Sequence, residues 1–130
     1  MFLVPTYVAK SATHGVGVFT PSPIVAGTLI WELTPEVDLR IEPEVIEAIG
    51  GRFGEKLRSY CYREPDGTYV LCGDNAKFMN HSFESNCDDI EGPYTVTKRD
   101  IAAGEELTCD YRLFDRESAE DGLESWRSTG

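Results

Sequence analysis

Three things are scarce or missing in this 130-residue chain, and each counts against a class of function. No stretch approaches the roughly 18 consecutive apolar residues that a membrane-spanning helix needs. The apolar start Met1-Phe2-Leu3-Val4 has no basic flank and runs straight into Pro5, which is too short for a signal-peptide core. No Cys-x-x-Cys pair occurs among Cys61, Cys72, Cys87 and Cys109, so the usual spacing of a structural zinc site is absent and no metal ligands are predicted. Cationic side chains are few: 12 Lys and Arg stand against 23 Asp and Glu, a net charge of −11, which argues against direct binding of nucleic acid.

What is present reads as one globular domain. Apolar residues make up 41% and aromatics 11%, and a chain of this length buries about two thirds of its unfolded surface. The four thiols read as free and buried, in keeping with a reducing, intracellular compartment. With Glu64-Pro65-Asp66-Gly67 as a loop, Cys61 would face Val70 and Cys72 would face Ser59, so the two are not expected to be hairpin partners. The charge is uneven. Residues 1–80 carry seven cations against ten anions, whereas residues 81–130 carry five against thirteen. That field serves solubility or steers a basic ligand, and steering would weaken with salt.

Short strands dominate the pattern. Tyr7 to Lys10 and Val16 to Thr20 flank the turn Thr13-His14-Gly15, and Leu29 to Leu33 follows Ala26-Gly27. Pro43, then Val45, Ile46 and Ile49 at helical spacing, predict a short helix stopped by Gly50-Gly51. Ser59 to Arg63 and Thr68 to Cys72 predict a hairpin, and Tyr94 to Lys98 and Glu106 to Cys109 two more strands. The expected class is mainly β with one or two short helices. A dinucleotide-binding α/β fold would need alternating strands and helices over a longer chain.

Three motifs stand in order along this framework. His14-Gly15-Val16-Gly17-Val18-Phe19-Thr20 comes first, with Ile24-x-x-Gly27-x-x-Ile30-x-Glu32 after it. Asn80-His81-Ser82-Phe83-Glu84-Ser85-Asn86-Cys87 follows, and about twenty residues later Gly104-Glu105-Glu106-Leu107-Thr108-Cys109-Asp110-Tyr111. Together they resemble the SET-domain protein lysine methyltransferases. The resemblance implies a β-clip-like fold of several small curved sheets, with a knot-like threading near the C-terminus. It assigns residues 1–111 to the SET domain and leaves 112–130 as a tail.

It also implies S-adenosyl-L-methionine as cofactor and a lysine in a basic protein or peptide as substrate. The turn at His14, Gly15, Val16 and Gly17 fits a cofactor cradle, because N–H groups unshielded by side chains hold a carboxylate; on its own it would equally be a plain tight turn. Asn80 and His81 match the family's cofactor-contacting pair, against the reading of a buried structural pair. Tyr111 matches the catalytic tyrosine, whose hydroxyl orients the methyl group and the target nitrogen. Tyr60 and Tyr62, expected to share one strand face, are candidate walls of the lysine channel or plain core residues. Phe78 reads as core.

Some positions depart from the family. Cys109 stands where many members have Phe or Tyr, and a small thiol there would open the substrate channel to higher methylation unless another aromatic fills the space. Ser85 replaces the usual proline before Asn-Cys. Phe83 stands at the motif's zinc-binding cysteine and no cysteine follows Cys109, so the family's cysteine-rich zinc tail is not found. The tail, with Leu113, Phe114, Leu123 and Trp126, reads as a lid over the channel or a loose end. Small members of this family complete their sites by dimerising, so a homodimer is a further expectation. Location follows the substrate: cytoplasmic, or nuclear or host-directed if the target is a histone. The competing reading is a catalytically weak SET-like module that binds basic protein tails.

Overall fold

The computed structural model describes residues 1–90 and 93–113. Among them, short β-branched and aromatic runs form ten strands in three small sheets, with two helices and two 3-10 turns. The first sheet holds β1 (Tyr7–Lys10), β2 (Val16–Phe19), β10 (Glu106–Cys109) and β7 (Asn80–His81), in the order β1-β2-β10-β7. Its β1-β2 and β2-β10 pairs are antiparallel, but β10 lies parallel to β7, with Asn80 opposite Thr108 and His81 opposite Cys109. That parallel step brings the two C-terminal motifs side by side.

The second sheet contains β3 (Leu29–Glu32), β9 (Tyr94–Thr97) and β8 (Cys87–Ile90), in the order β3-β9-β8. In the third, β6 (Tyr69–Leu71) lies between β4 (Leu39–Ile41) and β5 (Cys61–Arg63). One main core joins these layers: Val18, Ile30, Leu107, Ile101 and Cys87 are almost wholly buried in it. A smaller cluster of Ile41, Ile46 and Tyr69 sits under the helices. No helix among the described residues is long and apolar enough to cross a membrane.

The mainly β expectation holds, with three local corrections. Gly50 and Gly51 do end the first helix, α1 (Pro43–Ile49), but a second helix, α2 (Gly51–Ser59), begins at once. Both glycines take left-handed φ values, 59° and 57°, which turns the chain sharply enough for α2 to pack on α1. Ser59 therefore ends a helix, and the strand starts at Cys61. The hairpin register differs by one residue: Cys61 faces Leu71 because Glu64 N–H donates to the Thr68 carbonyl, leaving only Pro65, Asp66 and Gly67 as the loop. All four cysteines are free thiols. The tail positions Phe114, Leu123 and Trp126, and the side chain of Leu113, lie outside the described residues.

Candidate active site

The glycine turn between β1 and β2 is held from below by one hydroxyl. Ser11 Oγ accepts from the N–H groups of Thr13 (3.0 Å) and His14 (3.3 Å) and donates to Glu106 Oε1 at 2.7 Å. Asn80, buried at the start of β7, reaches the same turn. Its Nδ2 lies 2.9 Å from the His14 carbonyl, 3.0 Å from the Val16 carbonyl and 3.0 Å from Glu106 Oε2. Glycine is required at position 17 by this packing, since a Cβ there would sit 2.3 Å from Glu106 Oε2. Gly15 differs. Its φ of +47° favours glycine, and a Cβ built on it would meet nothing within 4 Å, so the turn is open on that side. His14, Gly15, Val16, Gly17 and Asn80 thus form one constellation, in which carbonyls of the turn face the Asn80 amide.

The second constellation is built where β10 ends beside β7. Tyr111 N–H donates to Nδ1 of the buried His81 at 3.1 Å, which fixes that nitrogen as an acceptor, and the Tyr111 hydroxyl donates to the Met79 carbonyl. The His81 ring meets Phe83 edge-on at 4.4 Å and Tyr111 at 5.6 Å. Arg112 chelates the buried Asp110 through Nε (3.0 Å) and a terminal nitrogen (2.6 Å), and its guanidinium lies over the Phe83 ring at 4.5 Å. Hydrogen bonding to Arg112 holds the Asp110 carboxyl below its ordinary range, and the charge of Arg112 adds to this. The Asp110-Tyr111-Arg112 segment therefore folds back over the Asn80-His81 motif.

Of the remaining candidates, Tyr60 and Tyr62 are not brought together in the way the sequence suggested. Tyr60 does not share a strand face with Tyr62: it closes α2 with helical dihedrals, and its half-exposed ring meets Phe78 edge-on at 6.3 Å. Tyr62 lies on β5 and packs against the main core, as do Phe78 and Tyr111. Burial raises the Tyr62 phenol well above its usual range, so it stays neutral. Cys109 belongs to the main core with Leu107, and burial likewise holds its thiol neutral. Among the described residues, no group of three or more His, Cys, Asp and Glu side chains is placed to hold a metal ion.

Two residues escaped the sequence reading. Asn86 straps β10 from the side: its Nδ2 donates to the Glu106 carbonyl at 2.8 Å, its Oδ1 accepts from Thr108 N–H at 2.9 Å, and its own N–H reaches Thr108 Oγ1 at 3.3 Å. Glu106 links Ser11, Asn80 and the glycine turn. Both sit inside motifs that the sequence had already drawn attention to, but their partners lie far along the chain.

Comparisons with known proteins point to one family. The SET domain model matches residues 15–112. A histone-lysine N-methyltransferase of Yarrowia lipolytica, named as H3 lysine-4 specific, is 34% identical over 92% of this chain. The Drosophila melanogaster histone-lysine N-methyltransferase ash1 is 32% identical over 79% of it. The chain spans only 11% and 5% of the lengths of these two relatives. Among solved structures, a Plasmodium falciparum protein described as a candidate histone methyltransferase matches 83% of this chain and 93% of its own, with a TM-score of 0.59 at 20% identity.

Proposed function

The chain belongs to the SET-domain family, and on that premise we propose that it is a protein-lysine N-methyltransferase, using S-adenosyl-L-methionine to methylate a lysine side chain in a basic protein. The observation that carries this reading is the anchoring of Tyr111: its backbone is tied to His81 and its hydroxyl to Met79, beside the Asn80 constellation.

The residues present fit such a cofactor. The turn is open at Gly15, and the Asn80 amide, bonded to the His14 and Val16 carbonyls and to Glu106, fixes the shape of the turn from below. His14, Gly15, Val16, Gly17, Asn80 and His81 would hold it. When bound, the cofactor supplies a methyl group activated by a sulfonium. The chain's own residues then position, shield and orient. Tyr111 is fixed at both ends of its residue, so its ring and hydroxyl are pre-set rather than ordered at the moment of reaction. Tyr62 and Cys109, both neutral, offer desolvating surface, with Tyr60 a more exposed candidate beside Phe78.

Desolvation matters because lysine attacks as the neutral amine. With an ordinary pKa of about 10.4, losing the proton at pH 7.4 costs about 4 kcal/mol, and a low-dielectric channel lowers that cost. The rate should rise with pH. The excess of anions in residues 81–130 supports a basic substrate, and relatives named as histone-lysine methyltransferases make histones the first proteins to try. The free thiols fit an intracellular setting, nuclear if a histone is the target.

The test is transfer of labelled methyl from S-adenosylmethionine to a mixture of core histones and other basic proteins at pH 8 to 9, with cofactor binding measured in parallel. Label on lysine is the expected result. Cofactor binding without transfer to any protein would favour a module that binds basic tails, and failure to bind the cofactor would overturn the reading.

A further inference from the structure

One partly buried acid is unexplained by anything above. Asp89 lies on β8 directly across from Thr95 on β9, and Thr95 Oγ1 donates to its Oδ1 at 2.6 Å. The other oxygen, Oδ2, is buried and has no hydrogen-bond partner among the described residues. Among the described residues, Asp89 makes no ion pair. An acceptor left this way is costly in a folded protein, and an ionised one more so. Such a group calls for a functional explanation.

Its surroundings narrow what could satisfy it. Alternation along β8 puts Asp89 on the same face as Cys87, which is wholly buried in the main core. Cys109 and Leu107 of β10 pack in that core, and Tyr62 and Tyr111 pack against it. Cys87, two residues before Asp89 on β8, shares this core with Cys109, the last residue of β10, which is followed two positions later by Tyr111. The charged groups acting on Asp89 are Asp88 and Asp110, both of its own sign. Thr95 is neutral, and the two thiols and the Tyr62 phenol are held neutral by burial. What is missing is a cation with N–H donors that can arrive through apolar surroundings, which describes the end of a lysine side chain.

We propose that Asp89 is the residue that recognises the target lysine, its free Oδ2 accepting a hydrogen bond from the incoming side-chain nitrogen. This rests on the methyltransferase reading above and adds to it a specificity-determining residue. Burial pushes the Asp89 carboxyl up to about 6, so at pH 7 to 8 it is ionised and an ammonium would relieve the cost of that charge; the lysine docks protonated and loses its proton to water before it attacks. Below that pH it protonates and recognition fades. A nitrogen carrying three methyl groups has no N–H left to donate, so the site also discriminates against the fully methylated product.

The experiment uses the peptide around whichever lysine the labelling identifies, with wild type, Asp89→Asn and Thr95→Val in parallel. Asp89→Asn keeps an acceptor for Thr95 and removes the charge. It should raise KM for the peptide at least tenfold, with kcat changed less than about threefold and no loss of melting temperature. Thr95→Val, which keeps the charge but removes the hydrogen bond that holds the Asp89 carboxyl down, should shift the pH dependence of KM upward and still bind the peptide at pH 8.5 to 9. A measurement on the wild type alone supports the variants. By titration calorimetry, replacing the labelled lysine with norleucine should weaken peptide binding at least tenfold, and lowering the pH from 7.5 to 5.5 should weaken it about fourfold, the fall in the ionised fraction of a carboxyl at about 6.

If wild type methylates the peptide but binds lysine and norleucine forms equally, or if Asp89→Asn leaves KM within twofold, the assignment to Asp89 is wrong while the enzyme reading stands. If wild type labels no protein and does not bind the cofactor, both are wrong.

Discussion

The Tyr111 hydroxyl donates to the carbonyl of Met79, the residue immediately before Asn80, so the end of one motif is bolted to the start of another. Because the Tyr111 N–H also binds His81, removing the hydroxyl should leave the backbone in place. Tyr111→Phe is therefore expected to fold, losing about 1 kcal/mol, which corresponds to a few degrees in melting temperature. Methyl transfer should fall by about a hundredfold or more, as when a positioned group at a reacting centre is removed. Parallel calorimetry and single-turnover assays check this. A variant with near-normal turnover would remove Tyr111 from the chemistry.

Gly17 and Glu106 compete for the same space. Alanine at 17 would place a methyl 2.3 Å from Glu106 Oε2 and 3.1 Å from Asn80 Nδ2, so the Glu106 side chain has to swing away and release Ser11 and Asn80. The expected result for Gly17→Ala is cofactor affinity lowered at least tenfold, measured by calorimetry. Glu106→Ala alone, which releases Ser11 and Asn80 without any clash, should lower the affinity by a similar factor. If Glu106→Ala binds the cofactor normally, the fault in Gly17→Ala lies in the backbone at 17 and not in the loss of these hydrogen bonds.

How much of this could be read in advance follows from how local each signal is. The turn, the Asn80-His81 pair and Tyr111 are legible because their residues sit within short contiguous stretches. β8 is not, since Cys87-Asp88-Asp89-Ile90 carries two adjacent acids where a strand pattern calls for β-branched residues. Its pairing with β9 overrides that. The placement of Tyr60 was missed because a glycine pair ordinarily ends a helix, and nothing nearby signals that a second one starts at Gly51. Glu106 meets Ser11 from 95 residues away, and Asn86 reaches Thr108 from 22 away; only the assembled sheet brings these together.

Asn86, the residue before β8, is tied to β10 by three hydrogen bonds at 2.8 to 3.3 Å, two from its side-chain amide and one from its backbone N–H. Two of these involve the amide, and Asn86→Ala would leave the Glu106 carbonyl and the Thr108 N–H without it in a buried setting. At about 1 to 2 kcal/mol for each group left unsatisfied, the loss is about 2 to 4 kcal/mol. Denaturant titration should show the midpoint falling with little change in slope. Asn86→Asp keeps the acceptor for Thr108 but turns a buried carboxylate oxygen toward the Glu106 carbonyl and the Glu105 carboxylate, so at pH 7 it should be at least as destabilised as Asn86→Ala.

The pH dependence of stability separates Asp89 from the surface acids, because the shifts have opposite signs. The Asp89 carboxyl stands at about 6 in the folded chain against an ordinary 3.8, raised first by burial, so the folded state takes up a proton more readily than the unfolded one. Its ionisation therefore costs stability above that range, by up to about 3 kcal/mol at pH 7, and the cost is recovered as pH falls from 7 toward 4. Glu105 behaves in the reverse way. Hydrogen bonding from Arg99 and the Ala102 N–H holds it at about 2 against 4.5, so its contribution is complete above pH 4.5 and lost below. Thermal melts of wild type should accordingly pass through a maximum near pH 5. Asp89→Asn should raise the melting temperature at pH 7 and leave it flat between pH 7 and 5, while still falling below pH 4.5. A wild-type curve that simply declines from pH 7 downward would mean that the Asp89 carboxyl is not held up in the folded protein.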